Sequence, residues 1–364
     1  MNDMQHMNAA LGLARRGMGR TWPNPAVGCV VVRDRRVVGR GWTQPGGRPH
    51  AETEALDRAG TLADGAALYT TLEPCSHHGR TPPCADAVIA SGIRRVVAAM
   101  EDPDPRVKGA GFATLRAAGV AVEIGPGARD AAEINAGFFQ RVAIGRPLVT
   151  LKLATTLDGK IAMASGESRW ITGEAARRRA HLLRATHDAV MIGIGTAIAD
   201  DPELTCRLPG MAERHPVRIV VDHGLRLPLL SKLVADAARI RTWVVTRDGG
   251  DAARHQGFRA AGVELIELPG AAEGIDLDAA LGALGQRGIT RVLVEGGAGL
   301  AAGLLRRGLV DRVAWFHAPA AIGAGGIDAV GRLGFEKLAE IPRFERLTLE
   351  PVGEDVLETL RRPA

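Results

Sequence analysis

One histidine and two cysteines constrain this chain more than any other feature of its sequence. His50-Ala51-Glu52 is followed by Pro74-Cys75 and then by Pro82-Pro83-Cys84. One imidazole and two thiolates are ligands that zinc prefers, and three protein ligands leave a fourth coordination position open for water. An open position indicates a catalytic zinc site, whereas a structural site is closed by a fourth protein ligand. The alternative is a structural zinc knot or unrelated buried cysteines.

The local pattern places these ligands at the starts of helices. His50 opens a helix that ends at Gly60, and Cys84 opens a helix over residues 85–90 that two prolines precede. The strand over residues 66–72 leads to Cys75. Because helix amino termini favour a thiolate over a thiol, they favour metal binding at neutral pH.

Glu52 lies two residues after His50, and the arrangement resembles the H-x-E…P-C-x-x-C signature of zinc-dependent nucleobase deaminases. The resemblance implies that Glu52 is a proton carrier and not a ligand. The loop from Cys75 to Cys84 is longer than in the short signature. In this it resembles the deaminase half of the bifunctional riboflavin-biosynthesis enzymes, which join a pyrimidine deaminase and a pyrimidine reductase on one chain.

The same resemblance assigns Asn24, in Pro23-Asn24-Pro25, to a position that helps hold the deaminase substrate. His77 and His78 lie in the loop between the cysteines, where they either contact substrate or face solvent. The loop over residues 102–108 follows a predicted strand and leaves the same two possibilities open.

Length and composition predict a two-domain globular protein of the cytoplasm. The chain has 364 residues, 46% hydrophobic and 24% charged, and no apolar run long enough to span a bilayer. Its amino terminus is too polar for a secretory signal. The four cysteines are too few for a disulfide framework. Zinc-bound thiolates need a reducing compartment, which favours the cytoplasm.

The net charge of +5 is compatible with nucleic-acid binding, but the arginines are scattered and the chain has only one Tyr and seven Phe. Base-stacking platforms need aromatic side chains, so we expect no nucleic-acid partner. Two rival functions stay open at this point. One is a nucleic-acid base deaminase with an accessory C-terminal domain, and the other is a non-catalytic, metal-stabilised interaction protein that would have no need of Glu52.

Alternating strands and helices predict a three-layer α/β domain over residues 1–145, and the resemblance implies a cytidine-deaminase-like fold. Gly145-Arg146-Pro147 is the expected junction. Residues 146–364 then resemble the reductase half of the same family, through the stretches 151–162 and 165–172. This implies a dihydrofolate-reductase-like α/β domain. Thr172 is expected to cap a helix that begins at Glu174.

A strand over residues 291–295, the glycine loop 296–299 and a helix over residues 300–307 form a predicted phosphate cradle. Although 297–302 is close to the G-x-G-x-x-A pattern, a Rossmann fingerprint opens its fold and this loop comes late. A plain tight turn is the alternative for the loop taken alone. With the preceding resemblance, it is interpreted as the site for the cofactor's diphosphate.

The resemblance implies zinc-dependent deamination of 2,5-diamino-6-(5-phosphoribosylamino)pyrimidin-4(3H)-one, followed by NADPH-dependent reduction of its ribosyl group. It also implies a homo-oligomer, dimer or tetramer, that acts on a small phosphorylated pyrimidine. The run Arg177–Arg179 is expected to be solvated surface charge. The expected cofactor-binding residues are Ala154, Trp170, Thr196, Asp200, Gly297, Ala298, Gly299, Leu300, Ala301, Ala302 and Gly303. The expected substrate contacts in the second half are Lys152, Ser168, Arg184, Leu204, Arg207 and Glu295.

Overall fold

The chain divides into two units, residues 1–145 and 146–364. Residues 79–81, within the loop between the two predicted cysteine ligands, lie outside the described part. In the part that is described, every helix is too short or too polar to cross a bilayer. The computed structural model describes residues 2–78, 82–211, 213–270 and 274–363.

The first unit is built on a five-stranded sheet of order β2-β1-β3-β4-β5. β1 runs antiparallel to both β2 and β3, whereas β3, β4 and β5 are parallel to one another. The parallel strands place their carboxyl ends at one edge of the sheet, where loops gather. The strands are β1 (Gly28–Arg33), β2 (Arg36–Trp42), β3 (Ala67–Thr70), β4 (Arg95–Ala98) and β5 (Ala121–Ile124).

Helices cover both faces of this sheet because its strands are apolar on both sides. Val31 and its same-face neighbours pack against α2, α3 and α4, and Val30 and its neighbours pack against α1 and α5. The result is a three-layer α/β unit. The helices are α1 (Asp3–Gly17), α2 (Ala51–Ala59), α3 (Cys84–Ala90), α4 (Ala110–Ala117) and α5 (Ala128–Ile144).

The second unit contains a nine-stranded sheet of order β11-β10-β9-β8-β12-β6-β13-β16-β15. Its strands are parallel from β11 to β13, and β16 and β15 add an antiparallel edge. A separate antiparallel pair joins β7 and β14. The strands are β6 (Leu148–Thr155), β7 (Lys160–Ala162), β8 (Ala189–Gly193), β9 (Val217–Val221), β10 (Thr242–Arg247), β11 (Glu264–Leu268), β12 (Arg291–Glu295), β13 (Arg312–His317), β14 (Ile327–Asp328), β15 (Glu345–Val352) and β16 (Asp355–Arg361).

Helices pack on this sheet through two apolar clusters. One joins Val220 and Val244 of the sheet to Leu233 and Phe258, and the other joins Ala176 to Phe316. β12 lies in the middle of the sheet, and every residue of it is buried. The helices are α6 (Glu174–Thr186), α7 (Ile194–Asp200), α8 (Lys232–Ala235), α9 (Ala252–Ala260), α10 (Leu277–Gln286) and α11 (Ala298–Arg306).

The predicted fold class, α/β in both halves with three layers in the first, is confirmed. Some elements of the structure were not predicted from the sequence, among them α7, β13, β15 and β16. The expectation that Thr172 caps α6 is wrong: Gly173 is the N-cap, and its N–H donates to Asp355 Oδ2 at 2.8 Å.

Candidate active sites

His50, Cys75 and Cys84 come together at the carboxyl end of the first sheet. His50 is the N-cap of α2, and Cys84 is the first residue of α3. His50 Nδ1 lies 3.3 Å from Cys84 Sγ and 3.6 Å from Cys75 Sγ. The three ligand atoms all lie within 4.8 Å of one another. Because ligands of a tetrahedral zinc ion stand roughly 3.5 Å apart at the usual bond lengths, these donors fit zinc.

Hydrogen bonds among these three side chains shift the pKa values of the two thiols. A hydrogen bond from the Cys84 thiol, ahead of the one from His50, lowers the pKa of Cys75 to about 4. The same contact raises the pKa of Cys84, because one proton is held between two sulfur atoms. The Cys84 backbone N–H also points at Cys75 Sγ, at 3.4 Å. Metal binding would release the proton that the two sulfurs share.

Glu52 lies in the first turn of α2, two residues after His50, and is only 3% exposed. Burial raises the pKa of this carboxyl above its ordinary value. The Thr70 hydroxyl donates to Glu52 Oε1 at 3.4 Å. A buried carboxyl with a raised pKa, beside the three predicted metal ligands, is suited to accept a proton.

A cavity of about 680 Å³ opens onto this site. His50, Glu52 and Cys75 form part of its wall, and Asn24 lies on the wall as well. The Asn24 side-chain amide donates to the Gly47 carbonyl at 2.9 Å, which fixes its orientation. The structure therefore places the predicted substrate residue of the first unit in the same cavity as the predicted metal ligands and the predicted proton carrier.

The far wall of this cavity is the loop over residues 102–109, which is held by one buried carboxylate. Glu73 accepts backbone N–H bonds from Asp102 and Gly109 at Oε2 and from Gly111 and Phe112 at Oε1, at 2.9–3.2 Å. These bonds replace the water that a buried carboxylate would otherwise need. Glu73 thus fixes both the loop and the start of α4.

Sequence reasoning missed several residues that line the cavity. Arg48 was not predicted at all, and the roles of His77, Asp102 and Arg106 were left open, yet all four lie on its wall. Burial raises the pKa of Asp102 to about 6. A polar, proline-containing loop after a buried strand was the only sequence signal for these positions, and it does not specify which side chains face the cavity.

In the second unit, Lys152, Glu295 and Arg184 lie together at the carboxyl ends of β6 and β12. Glu295 and Lys152 are direct neighbours in the ladder between those strands. Arg184, from α6, donates from Nε and Nη2 to the two Glu295 carboxylate oxygens at 2.6 and 2.8 Å, and from Nη1 to the Thr205 carbonyl at 3.0 Å. Of its five N–H donors, two are left for a ligand.

The neighbouring charges of Arg184, Glu295 and Lys152, together with burial, shift the pKa values of Glu295 and Lys152. Burial alone would raise the pKa of Glu295, but Arg184 and then Lys152 outweigh it and hold the pKa at about 2. Burial lowers the pKa of Lys152 from its ordinary value. The cavity thus contains an ionised carboxylate clamped by an arginine, next to an amine that gives up its proton more readily than a surface lysine.

All six predicted substrate residues of the second unit line one cavity of about 510 Å³. Leu204 is buried, with a φ of 54°, and Arg207 is exposed and contacts Glu203 at 3.2 Å. Arg177, expected to be a solvated charge, is half-buried and stacks over the Trp170 ring at 4.6 Å in this cavity. Lys232 also lines it and was missed, since a lone lysine carries no sequence signal.

The predicted cofactor residues divide between two cavities. Ala154, Trp170 and Asp200 line the cavity that contains Lys152 and Glu295. A second cavity of about 340 Å³ lies on the other side of the glycine loop, and its walls include Thr196, Gly297, Gly299, Leu300 and Gly303. Ala298 lies in the first turn of α11, whereas Ala301 and Ala302 are buried on its inner face.

The glycine loop has the backbone geometry of an anion cradle. Gly296 and Gly297 have φ values of 76° and 85°, which only glycine adopts readily, and α11 begins immediately after them. A Cβ added at Gly297 would lie 3.1 Å from Thr196 Oγ1. The loop therefore brings bare backbone and a helix amino terminus to the wall of the smaller cavity, directly after Glu295 of the larger one, a suitable site for a diphosphate.

Comparison with known proteins assigns both halves of the chain to described families. Residues 1–100 match the cytidine and deoxycytidylate deaminase zinc-binding region. Residues 147–357 match the RibD C-terminal domain. The riboflavin biosynthesis protein RibD of Escherichia coli strain K12 is 42% identical over 370 aligned residues, which cover 98% of this chain and 98% of that protein.

Solved structures give the same result. The structure of Acinetobacter baumannii RibD (form 2) is 39% identical, covers 99% of both chains and has a TM-score of 0.88. A Thermotoga maritima protein, described as a diaminohydroxyphosphoribosylaminopyrimidine deaminase/5-amino-6-(5-phosphoribosylamino)uracil reductase, is 34% identical, covers 99% of both chains and has a TM-score of 0.86. The resemblance inferred from the motifs is confirmed, and this chain belongs to the RibD family of riboflavin biosynthesis proteins.

Proposed function

We propose that this chain is a bifunctional enzyme of riboflavin biosynthesis. It deaminates 2,5-diamino-6-(5-phosphoribosylamino)pyrimidin-4(3H)-one by hydrolysis and then reduces the ribosyl group, with NADPH, to give 5-amino-6-(5-phosphoribitylamino)uracil. The observation that carries the proposal is the presence of two chemically different sites in a RibD family member. The first has three zinc-type ligands beside a buried carboxyl, and the second pairs Arg184 with Glu295 beside Lys152.

The two activities are assigned to separate domains, with residues 1–145 as the deaminase and residues 146–364 as the reductase. The division of the structure into two units at this point supports these bounds. The alternative of a nucleic-acid base deaminase with an accessory C-terminal domain lacks this kind of support, because RibD relatives match nearly the full chain. We therefore infer that both units act on small phosphorylated pyrimidines.

In the deaminase domain, His50, Cys75 and Cys84 would hold zinc. When bound, zinc lowers the pKa of water toward 7, so that hydroxide is available as a nucleophile at neutral pH. Glu52 transfers the two protons of the attacking water in turn, one to the ring nitrogen and one to the leaving amine, and ends in its starting protonation state. Its burial suits this work, because a raised pKa makes the carboxylate a stronger base toward water. Asn24 positions the pyrimidine.

In the reductase domain, NADPH supplies the hydride. Ser168, Leu204 and Arg207 line the substrate cavity, and the two N–H donors of Arg184 that remain can bind a phosphate oxygen. Lys152 lies beside Glu295 and has a lowered pKa, so it can donate a hydrogen bond or a proton to a sugar oxygen. The cofactor would contact Ala154, Trp170, Thr196, Asp200 and the segment Gly297–Gly303.

We further infer that the protein works in the cytoplasm as a homo-oligomer, a dimer or a tetramer. All four cysteines are unpaired thiols, and two of them are metal ligands that oxidation would destroy. Exposed apolar side chains of the second unit, among them Leu338 at 78% and Leu349 at 58%, are candidates for burial between subunits. Sedimentation velocity of the purified protein measures the oligomeric state.

The zinc assignment is tested by metal analysis of alanine variants. Cys75→Ala and Cys84→Ala should each lose most of the bound zinc and the deaminase activity. Cys29→Ala is the matched control, because Cys29 is a buried thiol of the same unit outside the ligand set. Full zinc occupancy in both ligand variants, or equal loss in the control, would contradict the assignment.

A further inference from the structure

Two cavities of the second unit are lined by predicted cofactor residues, and they offer separate places for the two halves of a dinucleotide. The larger cavity is lined by Lys152 and Glu295. The smaller cavity is lined by Thr196 and Leu300 and by Gly297 of the glycine loop. A dinucleotide cofactor consists of two nucleotides joined by a diphosphate, and the loop is built to hold that diphosphate. This inference rests on the reductase function proposed above.

The chemistry of hydride transfer determines which half of the cofactor lies in which cavity. The nicotinamide carries the hydride and must reach the substrate, so it belongs in the cavity with Lys152 and Glu295. The smaller cavity is then left for the adenosine half. Its volume of about 340 Å³ falls at the lower end of the range for small-molecule sites, as suits half of a cofactor.

The described wall of the smaller cavity carries positive charge. It contains Arg306 and Arg307 and no carboxylate among its described residues. Arg306 and Arg307 are both exposed, and they stand at the carboxyl end of α11. Because the dipole of α11 is negative at that end, only the side chains can supply positive charge there.

Arg306 and Arg307 differ in the ion pairs that they form. Arg307 Nη1 lies 4.0 Å from Asp276 Oδ1, a carboxylate that also caps α10. Arg306 forms no ion pair within the part of the chain that the structure describes. A guanidinium without a carboxylate partner, on the wall of a cavity, is available for a phosphate.

We propose that Arg306, assisted by Arg307, binds the 2′-phosphate on the adenosine of NADPH and thereby sets the preference of the reductase for NADPH over NADH. NADH carries a hydroxyl at that position, which gives a guanidinium no charge to neutralise. The arginine that recognises the 2′-phosphate thus lies at the opposite end of α11 from the loop that recognises the diphosphate.

The test is equilibrium binding to the full-length protein, measured by calorimetry with two probes. Adenosine 2′,5′-bisphosphate and 5′-AMP differ only in the 2′-phosphate and carry no nicotinamide, so binding is read without catalysis. The variants are Arg306→Gln, Arg307→Gln and the double variant. Arg287→Gln is the matched control, an arginine at the same C-cap position of α10 that lies outside the cavity.

The wild type and the control should bind the bisphosphate more tightly than 5′-AMP. Arg306→Gln should reduce that ratio about tenfold or more, the worth of a charged hydrogen bond, and Arg307→Gln should reduce it less. Arg306→Lys should retain part of the preference. Binding of 5′-AMP should not change in any variant, and circular dichroism should show an unchanged fold.

A double variant that keeps the wild-type ratio would overturn the proposal, as would a wild type that binds both probes equally. Failure of the reductase assignment itself has a different signature: the wild type would neither bind NADPH nor reduce the deaminated pyrimidine. The two failures are therefore distinguishable in the same protein preparations.

Discussion

Replacing Glu73 by glutamine should loosen the cavity wall of the deaminase without touching a zinc ligand. The Glu73 carboxylate is 3% exposed and accepts four backbone N–H bonds, from Asp102, Gly109, Gly111 and Phe112. Glutamine has nearly the same shape but only one acceptor oxygen. Whichever way the amide is turned, its NH₂ group faces two N–H donors that have lost their acceptor.

The cost follows from the number of orphaned donors. A buried donor left without a partner costs about 1–3 kcal/mol, so two such donors cost about 2–6 kcal/mol. The free energy of unfolding of a domain is only about 5–15 kcal/mol. The free energy of local opening is much smaller for the loop over residues 102–109 than for the sheet. We therefore expect this loop and the start of α4 to open locally before the first unit unfolds.

Hydrogen–deuterium exchange measures this opening directly, because the four amides concerned should exchange at least tenfold faster in Glu73→Gln. Deaminase kcat/KM should fall, since the loop forms the cavity wall, while reduction of added deaminated intermediate should stay at the wild-type rate. Glu101→Gln is the matched control, an exposed glutamate beside the same loop. Unchanged exchange at these amides would refute the reasoning, even if the activity fell.

Three further predictions concern the two sites. Glu52→Gln should keep zinc and fold but lose most deamination, by about 10²–10⁴, with reduction intact; separate assays of both steps decide this. Gly297→Val should raise the apparent KM for NADPH and leave deamination unchanged, because the new side chain crowds Thr196 and φ is 85°. Glu295→Gln should abolish reduction at the second site and lower the free energy of unfolding of the second unit. Glu295 has a folded pKa of about 2 against an ordinary 4.5, so its stabilisation is full above 4.5 and is lost as the pH falls toward 2. At pH 7 the pKa difference corresponds to about 3 kcal/mol, and urea unfolding of variant and wild type should converge at low pH.

Local sequence patterns were sufficient to select the three side chains that the structure brings together as a possible metal site, and to predict most strands and helices. His50 and Cys84 were placed at helix starts because helix boundaries depend on nearby residues, and the bounds of β12 were predicted as they stand. β15 escaped because it lies at the edge of the sheet with five of its eight residues exposed, and its polar residues hide the strand pattern. α7 escaped because it follows β8 directly and has Gly195, a poor helix former, in its first turn.

The parts of the sites that depend on tertiary contacts could not be predicted from the sequence. Arg184 was predicted as a substrate contact, but its bidentate bond to Glu295 joins residues 111 positions apart and no local pattern encodes it. The hydrogen bonds by which Glu73 holds the loop over residues 102–109 also join residues that are distant in the sequence, and no local pattern predicts them. Arg306 is likewise a candidate ligand only because the folded chain places it on the wall of a cavity.

The central claim is that one chain performs two consecutive reactions at two sites. The most direct measurement is to incubate the purified protein with the diaminopyrimidine substrate, with and without NADPH, and to identify the products by mass spectrometry. The account predicts that only the deaminated ribosyl compound accumulates without NADPH, and that the ribityl product forms when NADPH is added. A ribityl product that still carries the 2-amino group of the substrate, or no deaminated product in either reaction, would contradict it.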